Sequence, residues 1–171
     1  MKIIIILLAG FMFSACTRTE SGLMLDAPDY EHRDIEVNNL DLDVLQKADA
    51  LLSSEEHWSK DPSMKCHDVL QPGMPGFVDG HDVMASKISL YCALELACVE
   101  TIGSYMHRLP ALQEVRFTIA DNYPMRWKVH RLADFNANPD TTFSDVKNIL
   151  YITIARVKQK LERYQAKKGK H

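Results

Sequence analysis

Between His57 and Asp82 the chain gathers His57, Cys66, His67, Asp79, His81 and Asp82, six side chains of the kinds that bind zinc and other transition metals. Four ligands within these 26 residues would suffice in number, but the metal itself would have to fold a stretch rich in glycine and proline. No pair follows a finger, zincin or ribbon spacing, so no metal site is assigned, and His57, Cys66, His67 and His81 stand only as candidate ligands. The plainer reading makes His57 and His67 exposed loop residues and Asp79-Gly80-His81-Asp82 a turn ending in a helix cap. Hydrolytic chemistry has no better foothold, because the chain contains no Gly-x-Ser-x-Gly, no His-Glu-x-x-His and no phosphate-cradling glycine loop. Glu95 and Glu100 are five apart and so lie on different faces of a helix. Glu95 falls in an apolar sector and is the one acid whose burial could raise its pKa, a salt bridge to another helix being its plainer role. No catalytic residue and no cofactor is assigned.

The first residues concern place rather than reaction. Met1-Lys2 is a short positive start, Ile3 to Phe13 is apolar apart from Gly10, and Ser14-Ala15-Cys16 closes the run, which is the layout of a secretion signal. The apolar run is shorter than the roughly 20 residues needed to span a bilayer. Phe13-Ser14-Ala15-Cys16 resembles the lipobox of bacterial lipoproteins, with Phe13 where Leu is usual. The resemblance implies cleavage after residue 15, a diacylglycerol on the Cys16 thiol and, often, a further acyl chain on the new amino terminus. Each buried CH2 adds about 0.8 kcal/mol and one chain alone binds only marginally, so two or three hold stably. An ordinary cleaved signal with a chance cysteine is the other reading. Thr17 stands where an inner-membrane retention signal would place Asp, so the expected location is membrane-anchored, facing the periplasm, at the outer membrane if the host is Gram-negative.

An oxidising compartment makes the remaining cysteines informative. Cys92 and Cys98 lie six apart on one helix, about 9 Å by rise and roughly 120° apart in direction, too far for a disulfide. Cys66 can reach one of them from the loop, and two readings stay open: a Cys66–Cys98 bridge, Cys98 being the preferred partner, or three free thiols. No Cys-x-x-Cys supports a redox role.

The elements that must position these residues follow from the apolar spacing. Residues 16–39 read as a lipidated end and a polar tether, 40–166 as one helical domain, and 167–171 as a basic tail. Leu42, Val44, Leu45, Ala48, Leu51 and Leu52 predict a helix over 40–53. Pro62, Pro72, Gly73, Pro75, Gly76 and Gly80 predict a long loop over 59–82. Asp82 is expected to cap a helix over about 83–105, apolar nearly all round and hence central. Pro110 opens a third helix through Asp121. Met125 to Phe135 reads as a shorter helical piece, with Trp127 inward and Arg126, Lys128, His130 and Arg131 outward. Thr142-Phe143-Ser144-Asp145 is a capping box for a last helix over about 142–166. The expected fold is all-α, a bundle of four or five helices.

Composition bounds the function. With 171 residues, 46% hydrophobic and 25% charged, the chain suits one globular domain and excludes wholesale disorder. A net charge of -3 supplies no basic field, so no nucleic-acid partner is expected. Residues 20–61 carry 12 acids against 3 bases and residues 156–171 carry 7 bases against 1 acid, a pattern that suits helix dipoles and a fraying end.

Ala48 to Leu52, Trp58, Ser89-Leu90-Tyr91-Cys92-Ala93-Leu94 and Ala133-Asp134-Phe135-Asn136 leading to Val146 together resemble a group of small helical bacterial and phage proteins of unknown function. The resemblance spans about residues 44–160 and implies a helical fold without a reaction. The expected function is a lipid-anchored envelope protein with a non-catalytic binding or accessory domain, its partners being the membrane, through the anchor, and an envelope protein or the cell wall. The alternative is an envelope hydrolase acting on cell-wall or lipid material, with its site in the 57–82 loop.

Overall fold

Among the described residues, side chains take up backbone groups that the starts of the longer helices leave open. A computed structural model describes residues 33–61 and 87–168. Among them run α1 (Asn39–Leu51), a 3₁₀ turn (Glu55–His57), α2 (Leu90–Ile102), α3 (Pro110–Asn122), α4 (Arg131–Ala137) and α5 (Phe143–Lys168). The bundle is all-α with five α-helices and a long C-terminal one, as the spacing predicts.

Asn38 caps α1, its Oδ1 accepting from Leu40 N at 2.8 Å, while Asp41 Oδ2 accepts from Asn38 N at 2.9 Å. The other oxygen of Asp41 accepts from Ala111 N at 3.0 Å, so one buried carboxylate closes the first turns of α1 and α3. Thr142 and Asp145 form the expected box at α5: Asp145 Oδ2 accepts from Thr142 N at 2.9 Å and Thr142 Oγ1 accepts from Asp145 N at 3.2 Å.

Two expected boundaries are corrected. The second helix begins at Leu90, not Val83, because Ile88 N donates to the His57 carbonyl at 2.8 Å and Ser59 N to the Ile88 carbonyl at 2.9 Å, a single parallel bridge that holds 87–89 extended. Ser89 is its cap, and Asp82 lies outside the described residues. The helix stops at Gly103, whose φ of 78° is the left-handed conformation that glycine tolerates, so Tyr105 lies beyond it. The second correction concerns 125–135. Asp134 Oδ2 accepts from the backbone N of Lys128, Val129 and His130 at 2.8, 2.7 and 3.0 Å, which folds the first half into a turn and leaves seven residues of helix.

α1 packs against α2, α3 and α5, while α3 also meets α4 and α5, and α4 meets α2. Leu45, Leu52, Leu90, Leu94, Leu112, Phe135, Ile149 and Leu150 are fully buried between them. α2 is buried along almost its whole surface, as its sequence implies, although α1 and α3 each pack against more helices. Residues 33–38, counted in the sequence with the tether, lie along α3 and α5: Val37 is buried, Arg33 pairs with Asp121 and sits 5.3 Å from the Phe117 ring, and Lys160 Nζ donates to the Arg33 carbonyl at 2.9 Å. Among the described residues no helix is long and apolar enough to cross a membrane.

Candidate functional site

The two ends of α4 receive different polar groups. At its C-terminal end Asn136, 1% exposed, accepts from Trp58 Nε1 at 2.8 Å and from Leu90 N at 2.9 Å, and its Nδ2 donates to the Ser59 carbonyl at 2.9 Å. One amide thus ties the 3₁₀ turn, the start of α2 and α4 together. Trp58, Leu90 and Asn136 meet at this point. Their bonds satisfy a buried group and leave it no room for a ligand, so the cluster is architecture.

At the other end of α4 a cavity of about 200 Å³ opens between α2, α3 and α4. Tyr91, His107, Arg116, His130 and Arg131 supply its polar wall, and Leu132 and Ala133 its apolar floor. Tyr91 stands in the first turn of α2, and its hydroxyl meets that of Tyr105 at 2.9 Å, which in turn meets His107 Nδ1 at 3.0 Å. Burial pushes the Tyr91 phenol up, helped by the Tyr105 hydrogen bond and by the charge of nearby Glu95. Burial likewise raises Tyr105. Both phenols therefore keep their protons at any physiological pH and can donate.

Arg116 projects from α3 and is 4% exposed. Its Nη1 donates to the His107 carbonyl at 3.0 Å and to Gln113 Oε1 at 3.3 Å, and its Nη2 lies 3.2 Å from both ring nitrogens of His107. These partners are a carbonyl, an amide and an imidazole, and among the described residues no carboxylate lies within ion-pairing distance of the guanidinium. Arg131, 2% exposed, lies 5.1 Å from the Trp127 ring centroid. This corrects the expectation that the bases of 126–131 point outward on one helix. The turn built on Asp134 sends Arg131 inward and Arg126 to Asp145 at 2.8 Å. Chemically, the wall combines two buried guanidinium groups, Arg116 and Arg131, with hydroxyl and imidazole groups, an arrangement that can receive an anion.

The other predicted site residues fall elsewhere. Cys98 is a free, buried thiol, and Cys92 is the helix cysteine that is disulfide-bonded, which corrects the expected Cys66–Cys98 pairing. Cys98 has no exposed surface, and burial, with the charges of Glu95 and Asp41, pushes its thiol up to about 12. Cys16, Cys66, His67 and His81 lie outside the described residues. His57 is described: its Nδ1 meets Ser53 Oγ at 3.0 Å and Ser54 Oγ at 3.3 Å, and no carboxylate orients the ring among the described residues. No group of three or more metal-binding side chains occurs among those residues. Glu95 is fully buried, as its place in the apolar sector implies.

Sequence reasoning missed Tyr91, His107 and Arg116. A signal existed for the last: Arg116 stands four residues after Leu112 and three before Ile119, on the stripe that α3 buries. Compared with protein-family models, with curated proteins and with solved structures, the chain gives no match.

Proposed function

We propose that the protein is a lipid-anchored envelope protein, held through Cys16, whose helical domain is a non-catalytic binding module with its recognition site in the cavity between α2, α3 and α4. The observation that carries the binding reading is Arg116, a buried guanidinium at the cavity wall that has no carboxylate partner among the described residues. A buried charge without a counter-ion is unfavourable to the fold alone and becomes favourable when an anion enters. The anchor reading is supported by the Phe13-Ser14-Ala15-Cys16 pattern following a short apolar run. The hydrolase alternative needs the 57–82 loop, of which only residues 57–61 are described, and the contacts of His57 there favour no reaction.

Labelled palmitate tests the anchor: wild-type protein should carry label and Cys16→Ala should not, and an unlabelled wild type retires the lipoprotein reading. Crosslinked envelopes test the binding role. Wild-type protein should retain a ligand or partner that Arg116→Gln loses. Cleavage of peptidoglycan or lipid by the purified protein would replace a binding module with an enzyme.

A further inference from the structure

We infer that the cavity between α2, α3 and α4 takes a small organic carboxylate, with Arg116 as its counter-charge. The inference rests on the binding reading above and names the class of ligand. Three observations narrow that class. The first is charge. The recorded hydrogen bonds of Arg116 occupy three of the five N–H donors of a guanidinium, which leaves two for an incoming acceptor in the fork geometry that suits a planar carboxylate.

The second is size. A volume of about 200 Å³ is that of about six or seven waters in the liquid and falls below the roughly 300–1,000 Å³ usual for drug-sized ligands. It holds a small molecule or a single side chain rather than a chain segment. The third is the balance of the wall. Leu132, Ala133 and the Tyr91 ring give it a carbon surface, which suits a short apolar body attached to the charged group. Glu95 is buried beside Tyr91, close enough for its charge to act on both Tyr91 and Tyr105. Arg131 on the same wall offsets that negative charge, so what favours a short-chain carboxylate over inorganic phosphate is the carbon surface, which phosphate cannot use.

The full-length protein in detergent, titrated at constant ionic strength with butyrate, butyramide and inorganic phosphate, tests this by calorimetry and by the Arg116 side-chain NMR signal. Butyrate should bind saturably and shift that signal, with butyramide and phosphate at least about tenfold weaker. Arg116→Gln should weaken butyrate about tenfold or more. Ala133→Leu, which fills the floor and keeps the charge, should do the same, so the result does not hang on one variant's folding. Equal binding of butyramide would remove the guanidinium from recognition, and phosphate binding as tight as butyrate would overturn the carboxylate assignment. If no probe binds wild-type protein, the small-ligand inference fails. The binding role would then stand or fall separately on the crosslinked envelopes.

Discussion

Two buried charges stand two residues apart on α3 and meet opposite fates. Glu114 has no exposed surface and faces α5, where Lys160 Nζ lies 2.7 Å from Oε1 and Arg156 Nε lies 3.4 Å from Oε2. Arg116 points the other way, toward α2 and α4, and meets only a carbonyl, an amide and an imidazole. A step of two residues turns a side chain by about 200° around the helix, so one helix presents a countered charge to the bundle and an uncountered one to the cavity. The contrast separates a finished side, where a buried charge meets its counter-ions, from the cavity side, where the proposed ligand would supply one. Glu114 has its counter-charges within the chain, whereas among the described residues no carboxylate pairs with Arg116.

The sharpest way to break this contrast is to damage the finished side. Asn136→Ala should cost about 3–5 kcal/mol, because it orphans Trp58 Nε1, Leu90 N and the Ser59 carbonyl in a buried place. Urea denaturation would read it, and a loss below about 1 kcal/mol would mean that the amide does not join the three segments. Lys160→Met comes next at about 3 kcal/mol, since it strips Glu114 of its nearer cation and leaves a buried carboxylate with Arg156 alone. The same substitution also removes the Nζ donor that holds the Arg33 carbonyl, so exchange of the amides of residues 33–38 should quicken with it.

Acid should attack the finished side through Asp145. Burial would raise this carboxyl, but Thr142 N, the Arg126 guanidinium and the hydroxyls of Thr142 and Tyr123 outweigh it and hold it well below the ordinary range. Its folded pKa therefore lies under its unfolded value of about 3.9, so its contribution is whole above that pH and fades as pH falls toward the folded value. Asp134 behaves alike: burial opposes, and three backbone N–H donors win. Asp41 runs the other way, because burial raises it and its ionised form weakens the fold as pH rises. Asp145→Ala should cost about 1–2 kcal/mol at pH 7 through the lost cap and flatten the fall in stability below about pH 4. A variant whose acid limb matched wild type would show that the box does not drive acid unfolding.

The finished side was largely legible in the sequence and the cavity was not, for a physical reason. Caps and apolar stripes are local: Thr142 and Asp145 are three apart, and Val44, Leu45, Ala48 and Leu51 declare a buried face within two turns. Their bundle could be read without knowing what packs against what. The cavity is made by residues from positions 91 to 133 that only tertiary contact brings together, and its decisive turn hangs on one Asp134 oxygen collecting three amides. That turn gives no periodic signal, so Trp127 and its basic neighbours looked like a helix face. The start of α2 was hidden likewise, because the apolar run says nothing of an Ile88 amide spent on His57.

The smallest expected effect discriminates best between the two sides. Arg116→Met keeps the length and the carbon contacts of the side chain and removes its charge. It loses bonds to the His107 carbonyl and to Gln113, together worth about 1–2 kcal/mol. It also removes the unfavourable burial of a cation with no carboxylate beside it, a gain of similar size. Stability should therefore stay within about 1 kcal/mol of wild type, against about 3 kcal/mol for Lys160→Met on the opposite face. Paired thermal melts decide it. Equal losses for the two variants would make Arg116 an ordinary structural residue with a counter-charge in the fold. A near-silent Arg116→Met would mean that the fold does not need this cation, as the proposed binding role requires.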